Sequence, residues 1–249
     1  MDLKELKKKN VLVLGAGKTG IACASFLLDK ANKVLLSDNQ EQSFNLPGVE
    51  VEFKKHSDEF INKADLIIIS PGISPFSKIV KKINSLSIPI ISEIELAKSF
   101  TNKPIIAVTG TNGKTTTTSL ITHLINNSGK KAISCGNIGK PFIEVINHGL
   151  DVDFYVLEIS SFQIFYSPTL SCNIAVCLNI AADHLDWHGN LDNYIETKKK
   201  LFLQQKSNSW AVLNISKLEQ AGENKTTSVL EFNDIVTASC KLLTIFKFL

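Results

Sequence analysis

Gly110-Thr-Asn-Gly-Lys-Thr-Thr116 carries, in a usable order, the residue types that chemistry on a phosphate requires. Its two glycines let the backbone turn N–H groups toward anionic oxygens. A lysine in that position can reach β- and γ-phosphate oxygens, and the hydroxyl after it can ligate Mg2+. An apolar run, Ile105 to Val108, enters the loop, and a helix-like stretch, Thr115 to Asn127, leaves it. That order sets the positive end of a helix, about +0.5 of an elementary charge, at the same point. Gly110, Thr111, Asn112, Gly113, Lys114, Thr115 and Thr116 are therefore the candidate contacts of a nucleoside triphosphate. The loop departs from the common phosphate loop, because Val108 stands where the first glycine of that pattern belongs.

Further candidates follow along the chain. Glu158 closes the run Phe154-Tyr-Val-Leu157, and a carboxylate at the end of a core strand near such a loop is a Mg2+ ligand by position. Ile159-Ser-Ser-Phe-Gln163 is polar where the top of a sheet would face a ligand. Asp183, His184 and Asp186 follow the apolar run Asn173 to Leu178, and imidazole with carboxylates on one loop can bind a divalent ion or orient a phosphate. Tyr194 to Phe202 reads as an amphipathic helix whose Lys198-Lys-Lys200 is a charged face, and the pattern singles out no one lysine. His56 and His148 lie in polar stretches, and His188 has no role that the pattern names.

A second glycine loop, Gly15-Ala-Gly-Lys-Thr-Gly20, follows the apolar run Val11 to Leu14. An amphipathic stretch, Ile21 to Asp29, and a second strand, Lys33 to Ser37, lead to Asp38, 18 residues after Gly20. This is the β-α-β arrangement that binds a diphosphate. By itself it suits a nicotinamide cofactor, with Asp38 on a ribose, or a nucleotide-sugar.

The elements that must position these residues alternate. Val49–Phe53, Asp65–Ser70 and Ile88–Ile91 read as strands and Lys78–Ser87 as a helix. After a reset around Ser99 to Lys103, strands are expected at Ile105–Val108, Asp153–Leu157, Asn173–Leu178 and Trp210–Leu213, and helices at Thr115–Asn127 and Leu191–Gln205. The expectation is two α/β domains with parallel, doubly wound sheets, one over 1–100 and one over 104–249. The stretch from about residue 228 fits poorly, and too few strands follow Leu213 to complete the second sheet.

At 249 residues, 44% hydrophobic and 20% charged, the composition is that of a soluble globular protein. A net charge of +3 gives no argument for nucleic acid. All 27 basic residues are lysine, so phosphate recognition must rest on lysine, backbone N–H groups and metal rather than arginine forks. Five cysteines without a C-x-x-C pair fit reduced thiols in the cytoplasm. The first ten residues lack the apolar segment of a secretory signal, and no apolar run approaches the ~18 residues of a membrane span.

Together, G-T-N-G-K-T-T (110–116), G-N-I-G (136–139), E-I-S-S-F-Q (158–163), N-I-A-A-D-H-L-D (179–186) and Y-x-x-x-K (194–198) resemble, in order and spacing, the Mur ligase family of bacterial cell-wall synthesis. The resemblance covers roughly residues 8 to 215. It implies an α/β fold with a Rossmann-like N-terminal domain and a P-loop ATPase-like central domain, here incomplete and with the family's C-terminal domain absent. Asn112, the G-A-G-K-T-G loop and S-S-F-Q point to the branch that adds D-glutamate to UDP-N-acetylmuramoyl-L-alanine with ATP. Gly15, Thr19, Asp38 and Ser70 would then contact the UDP-sugar, and Asn137 and Ser160 the substrate near the reaction centre. Lys114 and Thr115 would hold ATP phosphates and Mg2+, Glu158 one Mg2+ and His184 a second. Lys198, four residues after Tyr194, matches the family lysine that CO2 converts to a carbamate. An ammonium, with an unperturbed pKa of ~10.4, repels Mg2+, whereas a carbamate offers it anionic oxygens. The resemblance implies a cytoplasmic enzyme working through an acyl phosphate. The family's domain for the incoming amino acid has no counterpart in this sequence, as a shifted reading frame or an early stop would leave it. A non-catalytic UDP-sugar-binding module is the alternative, followed by an NAD-linked oxidoreductase joined to an NTPase-like half.

Overall fold

A computed structural model describes residues 3–43 and 46–213 and the backbone of 241–244. The chain divides into two compact units, 1–101 with 141–150, and 102–140 with 151 onward.

The first unit runs α1 (Leu3–Leu6), β1 (Asn10–Leu14), α2 (Lys18–Leu27), β2 (Lys33–Asp38), β3 (Val49–Phe53), α3 (Asp58–Asn62), β4 (Leu66–Ile69), α4 (Lys78–Ser85), β5 (Ile90–Ile91) and α5 (Glu93–Lys98). Its strands lie in the order β3-β2-β1-β4-β5, every pair parallel. Val11 to Leu14 and Ile67 to Ile69 are buried without alternation, as strands covered on both faces must be. The order reverses between β1 and β4, and ligands of such sheets bind outside the strand ends at that switch point.

The second unit runs β6 (Ile105–Thr109), α6 (Lys114–Asn127) and β7 (Ala132–Gly136). The chain then forms α7 (Phe142–Asn147), which packs on α2 and α5 and so belongs with the first unit. It resumes with β8 (Phe154–Glu158), α8 (Ser161–Phe165), β9 (Ile174–Cys177), α9 (Leu185–His188), α10 (Leu191–Leu203), β10 (Trp210–Leu213) and β11 (Lys241–Thr244). The sheet order is β11-β10-β9-β6-β8-β7, again with every pair parallel. Ile121 and Ile125 of α6 pack on the buried Ile106, Val108, Val156 and Val176, which holds the helix along the sheet. Its N-terminus is thereby set at the exit of β6, with β8 and β9 as the flanking strands.

The strands and long helices expected from the sequence are found with ends shifted by at most three residues, and Val49–Phe53 and Trp210–Leu213 are found as expected. β7 escaped because only Cys135 in Ala-Ile-Ser-Cys-Gly is fully buried on this edge strand, so no apolar run marks it. The short helices α5 and α8 are announced instead by their caps. Ser92 Oγ accepts the Glu95 N–H, and Ser160 with Gln163 forms a complete capping box. The poorly fitting stretch from about residue 228 lies outside the described residues, apart from the backbone of β11. Among the described residues no helix is long and apolar enough to cross a membrane.

Candidate active site

Three adjacent strand ends build the site of the second unit. Register aligns Val108 with Glu158 and Thr109 with Cys177, so the exit of β6 lies between Glu158 and the segment after β9. Gly113 caps α6 at φ 82°, and no side chain caps its first turn. The N–H groups of that turn therefore stay available to an anion. Lys114 Nζ folds back to donate to Gly110 O (3.0 Å) and Thr111 O (2.8 Å).

Glu158 is 3% exposed and is held from two sides. Thr115 Oγ1 donates to its Oε2 and Asn137 Nδ2 to its Oε1, both at 2.8 Å. The backbone reinforces the second contact, since Asn137 N–H donates to Glu158 O at 2.9 Å. That approach requires Gly136, which sits at φ +98°; a Cβ there would stand 2.5 Å from the same carbonyl oxygen. A hydroxyl and a carboxylate so paired are hard oxygen donors suited to Mg2+.

Of the three consecutive lysines, Lys198 reaches β6. It is 1% exposed, and its Nζ donates to Thr109 Oγ1 and Gly110 O, both at 3.2 Å. The Tyr194 ring, one helical turn earlier on the same face, lies 4.6 Å from Nζ. Burial lowers the Lys198 pKa to about 8; nearby Lys114 acts in the same direction, while Cys177 and Asp183 oppose. Lys199 instead donates to Glu196 at 2.6 Å, and Lys200 stands over the Phe165 ring.

His184 opens α9 with φ 52°. Its Nε2 lies 3.4 Å from Asp183 Oδ2, and its ring packs against Phe162. The described contacts do not join it to Glu158, Thr115 or Lys198. Among the described residues no group of three or more His, Cys, Asp or Glu side chains gathers to hold a metal. His188 is buried, its Nε2 2.9 Å from Ser161 Oγ, and burial with nearby Lys198 and His184 lowers its pKa to about 4. Its ring packs among Phe162, Trp187 and Tyr194. Ser160 uses its hydroxyl in the cap of α8, accepting from Gln163 N and donating to Gln163 Oε1.

The first unit forms a separate candidate site at its switch point. Gly15 ends β1 beside Ser70, whose Oγ would lie 2.2 Å from a Cβ on Gly15. Asp38 Oδ2 accepts the Ala16 N–H at 2.6 Å, so the acid steadies the glycine loop directly. Its Oδ1 accepts the Gln40 N–H at 2.8 Å, and lone pairs remain on both oxygens. Thr19 lies in the first turn of α2, half-buried. An open cleft of about 370 Å³ adjoins this strand end, lined by Asn39, His56, Ser77, Lys78, Ile79 and Lys82. His56, passed over in the sequence, stands 2.6 Å from Ser37 Oγ, and burial lowers its pKa. No sequence signal marks it, because its position comes from the loop after β3.

Residues 108–241 match the family model of the Mur ligase middle domain, and residues 9–92 match that of the Mur ligase MurD-like N-terminal domain. The UDP-N-acetylmuramoylalanine--D-glutamate ligase of Pelotomaculum thermopropionicum is 40% identical over 221 residues, 85% of this chain and 48% of that protein. The enzyme of the same name from Syntrophus aciditrophicus is 35% identical over 230 residues, 89% of this chain and 51% of that protein. The chain thus spans about half the length of these curated relatives. Among solved structures, the Neisseria meningitides UDP-N-acetylmuramate:L-alanyl-gamma-D-glutamyl-meso-diaminopimelate ligase shares the fold at TM-score 0.54 and 19% identity, over 95% of this chain and 78% of that one. The Thermotoga maritima MurF ligase, solved with ADP, does so at TM-score 0.50 and 16% identity, over 98% of this chain and 49% of that one.

Proposed function

The chain belongs to the Mur ligase family, and from that premise we propose that it serves the ATP-dependent addition of D-glutamate to UDP-N-acetylmuramoyl-L-alanine. The observation that carries this reading is the Glu158 carboxylate fixed by Thr115 and Asn137 at the mouth of the phosphate loop. The relatives named for the D-glutamate reaction support the choice of substrates.

In the proposed reaction the substrate carboxylate attacks the γ-phosphorus of ATP, and ADP leaves. The amine of D-glutamate then attacks the carbonyl carbon of the acyl phosphate, phosphate leaves, and the amine gives up a proton. Lys114 and the free N–H groups at the start of α6 would hold the transferring phosphate. Thr115 and Glu158 would hold Mg2+, and His184 would serve a second ion. The metal would supply charge neutralisation that lets a carboxylate approach ATP. Asn137 would orient Glu158 and meet the substrate, with Ser160 nearby. A Lys198 amine, neutral at mildly alkaline pH, is the form that can take up CO2 and release a proton to become a carbamate. Gly15, Thr19, Asp38 and Ser70 would bind the UDP-sugar across the switch point of the first unit. The buried thiols of Cys23, Cys135, Cys172 and Cys177, which form no disulfide among the described residues, support a reducing, cytoplasmic setting.

The test is incorporation of labelled D-glutamate in the presence of MgATP and UDP-N-acetylmuramoyl-L-alanine, with Glu158→Gln as the inactive control. Absence of UDP-N-acetylmuramoyl-L-alanine binding would overturn the reading. Binding without D-glutamate-dependent phosphate release would instead identify a UDP-sugar-binding module.

A further inference from the structure

We infer that Asn179 is a positioning residue of the phosphate loop, which it holds so that the N–H groups facing an anion begin at Gly113. The inference rests on the reading of 110–116 as the loop that holds ATP phosphates. With Val108 in place of the usual first glycine, this loop has a shorter glycine frame. Its shape must be fixed by something else.

The segment just after β9, on the strand adjacent to β6, does this. Asn179 Oδ1 accepts the Asn112 N–H at 2.9 Å, and Asn179 Nδ2 donates to Asn112 O at 3.0 Å. One side-chain amide therefore satisfies both backbone groups of one loop residue, as a paired strand residue would. The Asn179 carbonyl accepts the Thr111 N–H at 3.1 Å. Thr111 Oγ1 accepts the Ala181 N–H at 3.0 Å and lies 3.1 Å from Tyr194 Oη. The consequence is selection among donors. The N–H groups of Thr111 and Asn112 are taken up by Asn179, and those of Gly113 and the first turn of α6 are left for phosphate. The same segment continues to His184, so Asn179 also ties the loop to the residue proposed to serve the second ion.

The experiment compares the full chain with Asn179→Ala, Asn179→Asp and Lys114→Ala, titrating each with MgATP and with inorganic triphosphate. Amide hydrogen exchange and thermal unfolding are recorded on the same samples. Asp keeps the acceptor for Asn112 N–H but turns an acceptor toward Asn112 O, so it separates the two halves of the amide. Asn179→Ala is expected to weaken both ligands about tenfold, since each released hydrogen bond shifts an equilibrium roughly two- to tenfold. Exchange at Asn112 N–H should quicken while β6 and β9 stay protected, and Asn179→Asp should weaken both ligands with Asn112 N–H still protected. A general structural role would lower protection through both strands, and that result overturns the inference. So does binding within twofold of wild type in both Asn179 variants while Lys114→Ala loses it. If Lys114→Ala binds both ligands like wild type, the phosphate-loop reading itself falls and takes the inference with it.

Discussion

Lys198 shows how a single side chain acquires chemistry from its surroundings. On a helix surface it would be one of three solvated lysines; under β6 it is 1% exposed, and burial lowers its pKa to about 8. Between that value and the ordinary 10.5, the unfolded chain binds a proton that the folded chain does not. Stability should therefore rise with pH across this window. Buried Cys23 and Cys177, whose thiols are pushed up from 9.0, act in the opposite direction above pH 9. The Lys198 contribution is therefore read as the difference in urea-unfolding free energy between wild type and Lys198→Met in CO2-free buffer, which is expected to grow across this window. Thr115 offers a second test at this scale. Thr115→Val keeps the shape and removes the hydroxyl that meets Glu158, so ATP affinity should fall about tenfold with Mg2+ and change little without it. Calorimetry at both conditions checks this, and equal losses would place Thr115 outside the metal site.

At the scale of elements, two devices set the geometry. The first is Glu93, buried at the start of α5, whose Oε1 accepts the Ile143 N–H at 2.5 Å. A second bond from the Phe142 N–H makes it the anion at the N-terminus of α7. Burial nevertheless raises its pKa to about 7, with these two bonds opposing. A carboxyl raised in the folded state stabilises fully below its unfolded value of 4.5 and loses that contribution as pH rises through about 7. Glu93→Gln should remove this fall from the stability profile, whereas Glu93→Ala should cost about 1–3 kcal/mol by leaving N–H groups buried and unpaired. The second device is the exit of β7. Gly136→Ala should weaken MgATP binding severalfold, because a Cβ meets the carbonyl of Glu158. Gly129→Ala, also at positive φ but with nothing within 4 Å, is the matched control. Equal effects in the two variants would show that only backbone strain is being measured.

For the whole molecule, two parallel sheets each carry a glycine loop at the exit of an inner strand. The proposed division of labour is UDP-sugar on the first unit and ATP on the second. Asp38→Ala is then expected to lower UDP-sugar affinity about tenfold while Lys114→Ala leaves it unchanged. Fluorescence titration of both variants decides the matter, and equal losses would contradict two separate sites. The chain crosses between units at 140–141 and 150–151, so α7 joins the first unit although its neighbours in sequence belong to the second.

The sequence by itself determined the two glycine loops, the strands that feed them and the identity of Lys114, Thr115 and Glu158 as chemical candidates. These are local matters: apolar runs mark buried parallel strands, and a glycine, lysine and hydroxyl must be neighbours to meet one phosphate. The helix pattern did not distinguish Lys198 from Lys199 and Lys200, since all three share one stretch of helix and differ only in what lies opposite; only the family resemblance, through the step from Tyr194, singled out Lys198. The polarity of Ile159 to Gln163, read as facing a ligand, also carries the capping box of α8, which the expectation did not include. Asn179, Glu93 and His56 received no role from the sequence. Each acts through a partner 19 or more positions away, Asn179 on Asn112, Glu93 on Ile143 and His56 on Ser37, and no spacing rule reaches that far. Only the tertiary structure decided those pairings, because strand order, not chain order, sets which strand ends are neighbours.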